Sequence, residues 1–137
     1  MSRNIDTVKR MYECFGKGDI AGILKHLRPD VEWEYDWGGP TLAMYEARRG
    51  RMAVPAFFES LSVFEFRQFE PFAFLEGGDT LAVQIRVELV YKPTGRPHKD
   101  LEMHLWTFGD DGLVARFRHF ADTLQLARAM EFGDAAR

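Results

Sequence analysis

The chain of 137 residues fits one domain, 1–137, large enough for a real hydrophobic core and too short for two ordinary ones. A net charge of −3, with 28% charged and 46% hydrophobic residues, is that of a soluble globular protein and gives no electrostatic case for nucleic acid, whose phosphates need clustered cations. No apolar run reaches membrane-spanning length and the lone Cys14 has no disulfide partner, so a cytoplasmic protein without nucleic-acid or membrane partners is expected.

From the N-terminus, Ile5, Val8, Met11, Tyr12 and Phe15 recur at helical spacing and predict an amphipathic helix that ends near Gly16 to Gly18. Asp19 is placed as the N-cap of a short second helix carrying Ile20, Ile23, Leu24 and Leu27 and stopping before Pro29. Asp30 to Trp37 alternates strictly. Val31, Trp33, Tyr35 and Trp37 fall on one strand face, and Glu32, Glu34 and Asp36 on the other. Gly38 to Gly50 loses periodicity and reads as a surface loop or pocket lid, and the short Arg48 to Arg51 run is too small to make a basic patch. Met52, Phe57, Phe58 and Leu61 make a third helix, with Pro55 tolerated in its first turn.

The second half predicts strands. Val63 to Glu76 carries Pro71, which marks an edge or a bulge. Thr80 to Tyr91 alternates Leu81, Val83, Ile85, Val87, Leu89 and Tyr91 with Gln84, Arg86 and Glu88, whose face should be the outside of the sheet. Pro93 to Pro97 turns the chain into a final hairpin, His98 to Asp122, after which Asp122 and Gln125 predict a capped terminal helix with Leu124, Leu126, Ala127 and Met130. Fourteen per cent aromatic residues, twelve of them Phe, suggest a bulky core, an aromatic cavity or an interface.

The runs GKGDIAGILKHLRPDVEWEYDW and LWTFGDDGLVARFRHFADT, with the helix opened by Gly50-Arg51, resemble the nuclear transport factor 2-like superfamily, particularly its SnoaL-like and ketosteroid-isomerase-like branches. The resemblance implies an α+β cone, in which a curved mixed β-sheet (α+β barrel) wraps around N-terminal helices, with a pocket inside and commonly a homodimer through the outer sheet face. It makes Tyr12, Trp33, Tyr35, Phe57, Val83, Ile85, Val87, Trp106, Phe117 and Ala121 the expected lining for a small apolar molecule. The superfamily hosts enzymes and non-catalytic binding domains alike.

Chemistry concentrates in the hairpin. A four-residue loop, Gly109 to Gly112, pairs Phe108 with Leu113, sets Glu102 opposite His119 and His104 opposite Phe117, and gives all four one face with Trp106 and Ala121. A three-residue loop with Gly112 as a bulge shifts pairing by one and separates the two histidines. The resemblance favours the first register, because it places His104 where ketosteroid isomerases carry the Asp that donates to the oxyanion. Glu102 then orients His119 as an acid-base unit, His104 donates to an oxyanion, and Tyr12 and Tyr35 are further donors. Tyr35 stands where ketosteroid isomerases have their basic Asp, and His119 where polyketide cyclases have theirs. Of the epoxide hydrolases' Asp-Arg-Asp set only Asp100 is present. The spacing of the two histidines and Glu102 matches no zinc motif, so neither metal nor organic cofactor is expected. The reading is a cofactor-free isomerase, cyclase or dehydratase on an apolar carbonyl compound; the alternative is a non-catalytic ligand-binding or dimeric interaction domain of the same fold.

Overall fold

The computed structural model describes residues 2–35 and 42–131. Helix α1, Arg3–Gly16, starts at Ser2, whose hydroxyl accepts the Ile5 N–H at 3.1 Å. Its buried Val8 and Met11 show that the helical period did place the core face. Gly18, at φ +71°, turns the chain into α2, Ile20–Leu24, whose first turn is capped by the Asp19 carboxylate accepting the Gly22 N–H at 2.9 Å.

Leu27 is the first correction, because it opens strand β1, Leu27–Trp33, rather than closing the second helix. The Val114 N–H donates to the His26 carbonyl at 2.8 Å, and that ladder bond takes the chain out of helical geometry before Pro29 could break it. Asp36, Trp37 and the Gly38 to Thr41 part of the expected loop lie outside the described residues. The rest of that loop is surface only in part: a 3-10 turn, Ala43–Tyr45, buries Met44 and Tyr45, and β2, Arg48–Arg49, pairs with β1, while Ala43, Glu46, Ala47 and Arg49 are exposed. Two large apolar side chains cannot stay in solvent when a cavity wall is within reach.

Helix α3, Val54–Ser60, carries Pro55 in its first turn and buries Val54 and Phe57, while Met52 is exposed. Four antiparallel strands follow, β3 Phe64–Gly77, β4 Thr80–Tyr91, β5 Arg96–Phe108 and β6 Val114–Phe120. The sheet is curved and open, in the order β2-β1-β6-β5-β4-β3, and among the described residues only β1 and β6 run parallel. Pro71 sits on the edge strand at a register irregularity, where its missing N–H breaks no central ladder. Alternation on β4 holds throughout: Leu81, Val83, Ile85, Val87, Leu89 and Tyr91 are all buried against the helices.

Helix α4, Thr123–Met130, is capped by Asp122 and pinned to β5 by Gln125, whose side-chain amide accepts the Lys99 N–H at 2.9 Å and donates to the Lys99 carbonyl at 3.0 Å. Among the described residues no helix is long and apolar enough to cross a membrane.

Candidate functional site

The register of the closing hairpin differs from the expected one by two residues. His104 faces His119 and Trp106 faces Phe117. Pairing passes from Thr107 with Arg116 to Phe108 with Val114, so β6 carries an extra residue, Ala115, and the loop runs from Gly109 to Leu113. A shift of two leaves every side chain on its expected face, because strand side chains alternate with a period of two. Glu102, His104 and His119 therefore all point inward, but Glu102 is not opposite His119.

The carboxylate that meets His119 is Glu34, which alternation places with Glu32 on the outer face. Glu32 does face outward, pairing with Arg116 at 2.8 Å. Glu34, one residue beyond β1, takes φ +55°, and this left-handed step turns its side chain into the interior, where it is fully buried. The step costs about 1–3 kcal/mol in a residue with a Cβ. Three interactions offset it. The Glu34 N–H donates to the Phe117 carbonyl at 2.7 Å, Oε1 accepts the His119 N–H at 3.2 Å, and Oε2 pairs with His119 Nδ1. The one sequence signal is a Glu between Trp33 and Tyr35, a few residues before the pair Gly38-Gly39.

Burial alone pulls the His119 imidazole down, but the charge and hydrogen bond of Glu34, with Glu102 behind it, hold it above the ordinary histidine value. Tyr45, from the supposed loop, stacks on the same ring at 4.3 Å and 13°. The outcome is an imidazole clamped between a carboxylate and an aromatic face, in a setting that favours its protonated form.

His104 has the opposite character. Burial, and then the charge of His119, push it well below the ordinary value, so it is neutral. Its Nδ1 lies 2.9 Å from the Tyr12 hydroxyl, which also accepts the Trp106 Nε1–H at 3.1 Å. Burial raises the Tyr12 hydroxyl far above its usual range, so it keeps its proton, and His104 Nδ1 is the acceptor at hand. The tautomer follows: His104 carries its proton on Nε2, 4.0 Å from Glu102 Oε1. Burial raises the Glu102 carboxyl to about 7, with Asp100 and Glu34 adding to the rise and His119 opposing it.

Tyr12, Glu102, His104, Trp106 and His119 line a cavity of about 80 Å³ between α1, α3 and the sheet, room for several waters, with Glu34 and Tyr45 behind His119. Its wall is otherwise aromatic and aliphatic, including Phe15, Phe58, Phe66 and Phe69. Of the expected lining residues, Tyr12, Trp33, Phe57, Trp106 and Phe117 are in it with Glu102, His104 and His119. Val83, Ile85, Val87 and Ala121 are not. The short aliphatic side chains of β4 are flanked by rings that reach further, His104 opposite Val83 and Phe69 opposite Val87, and Leu89 is the β4 residue at the cavity. Tyr35 is turned away by the left-handed step at Glu34 and lies under the Arg116 guanidinium at 4.2 Å.

A family model described as SnoaL-like domain matches residues 8–117. The chain superposes with a TM-score of 0.81 on an NTF2-like protein of unknown function from Burkholderia pseudomallei, at 28% identity over 95% of this chain and 98% of that one. A second NTF2-like protein, from Burkholderia xenovorans, gives 0.80 at 29% identity over 93% and 95%. TerC, co-crystallised with polyporic acid, gives 0.74 at 28% identity over 93% and 98%. No curated protein matches in sequence.

Proposed function

The chain belongs to the SnoaL-like domain family, and from that premise we propose that it is a small-molecule enzyme moving a proton, without a cofactor, next to the carbonyl of an apolar substrate, as in an isomerase, cyclase or dehydratase. The observation that carries this reading is the buried His119–Glu34 pair facing the same aromatic cavity as the neutral His104. A charged imidazole and a neutral one, side by side on adjacent strands, supply an acid and an uncharged donor that do not exchange roles. The co-crystallisation of TerC, a protein of similar fold, with polyporic acid supports a small-molecule ligand in this cavity.

In the proposed step the carbonyl oxygen accepts the Nε2–H of His104, which stabilises the enolate as it forms. The carboxylate of Glu102 removes the proton from the neighbouring carbon. His119 delivers a proton from Nε2 to the carbon or to a departing hydroxyl, while Glu34 holds the ring at Nδ1. Glu34 is thus a positioning residue, taking the part expected of Glu102.

The test is hydrogen exchange on a panel of apolar ketones and enones first shown to bind. In D2O the protein should introduce deuterium beside the carbonyl faster than buffer does, read by mass spectrometry. Binding without exchange or turnover, across the panel, would leave a ligand-binding domain and sink the catalytic reading.

The same reading includes a homodimer through the outer face of the sheet, where Leu101 is 61% exposed and Phe120, which β5 and β6 pairing puts on the same side, is 38% exposed. Native mass spectrometry should give twice the chain mass, and Leu101→Glu should return the monomer. A wild-type monomer at micromolar concentration would remove the dimer.

A further inference from the structure

We propose that His98, Asp100 and Glu102 form a binding site for a divalent transition-metal ion on the floor beneath the cavity. The three alternate along β5 and so share its inner face. Among the described residues they are the one group of three His, Cys, Asp or Glu side chains drawn together, with one ligand atom from each within 4.8 Å of the others.

His98 separates this group from an ordinary acidic patch. It is fully buried, and neither ring nitrogen makes a hydrogen bond. Leaving such groups unsatisfied is costly, and native interiors rarely do so. The ring is aimed at the carboxylates, with Nε2 at 3.3 Å from Asp100 Oδ2 and 3.9 Å from Glu102 Oε2. The first distance lacks the alignment of a hydrogen bond.

Ligand atoms about 2.0–2.2 Å from a tetrahedral ion lie roughly 3.4 Å apart, so the two observed separations bracket what one ion requires. Asp100 is held in place from behind, because its Oδ2 also accepts the Asp122 N–H at 2.6 Å, at the start of α4. Two carboxylates neutralise a doubly charged ion, and the imidazole selects zinc, cobalt or nickel over calcium and magnesium. The set is one nitrogen and two oxygens, leaving a fourth position for water or a ligand.

Glu102 also lines the cavity, so an ion on this tripod would withdraw the carboxylate that the proposed reaction uses. Ion occupancy and turnover are then opposed, a consequence that rests on the proposed function, whereas binding itself does not.

Co2+ titration followed by visible absorption, with Zn2+ stoichiometry from native mass spectrometry, tests the site on the full chain. One equivalent should bind, and His98→Gln and Asp100→Asn should each weaken binding on the order of tenfold or more, while His26→Gln leaves it unchanged. Should His98→Gln not fold, Asp100→Asn decides alone. Absence of stoichiometric binding, or binding that Asp100→Asn leaves intact, overturns the proposal. No substrate enters these measurements, so their failure is distinct from a failure of deuterium exchange.

Discussion

Replacing Glu34 by Ala is expected to destabilise the fold by about 3–5 kcal/mol, the usual cost of removing one partner from a buried ion pair. The substitution leaves His119 buried beneath Tyr45 with no carboxylate on Nδ1, and leaves the His119 N–H without its acceptor. The loss should depend on pH in a defined direction. His119 has its folded value raised above the ordinary 6.5, so its stabilisation is fully present below about 6.5 and fades as pH rises through the higher folded value. In the variant burial, opposed only by the charge of Glu102, favours the neutral ring. The gap between wild type and Glu34→Ala should therefore be widest near pH 6 and narrow towards pH 9. Urea denaturation at several pH values, with chelator present, measures it. A gap that stays constant or widens with pH would show that the pair is not charged. Glu34→Gln should lose less, because its amide oxygen still serves the backbone N–H.

Most of the architecture was legible because it rests on short-range periodicities. The alternation on β4 left no choice of face, and the turns at Gly78–Asp79 and Lys92–Gly95 bound it on both sides. The hairpin register was misread by two residues, since nothing in the side chain of Ala115 marks a bulge, yet the inward set survived because the error was even. Glu34 was illegible for a different reason. Its orientation depends on a left-handed backbone step in a non-glycine residue, which local preference disfavours and only the tertiary contacts with Phe117 and His119 repay. Tyr45 and Met44 were missed because an aperiodic segment gives no face to bury, although both are large and apolar. The candidate site thus combines the inner faces of the two hairpin strands, which the alternation predicts, with two residues, Glu34 and Tyr45, that only the closed fold brings in.

His119→Gln is expected to lower turnover by about 10²–10⁴-fold, the range for loss of a positioned acid-base group, while ligand affinity changes little. The substitution keeps an amide of similar reach beside Tyr45 and Phe57 but removes the proton that Nε2 carries into the cavity. Glu34→Gln should follow it only in part. It keeps the imidazole and weakens the charge that raises it, so its activity should fall most at the alkaline end of the pH profile, where His119 now loses its proton earlier. That asymmetry separates a positioning carboxylate from a purely structural one, which would lower activity evenly across pH. His104→Gln should act differently again, because its proton is donated and not transferred: the rate falls without a moved pH limb. Deuterium exchange on a bound ketone measures all three variants with one readout. If His119→Gln exchanged at the wild-type rate, the proton would have to come from elsewhere in the cavity, and the assignment of His119 would fail.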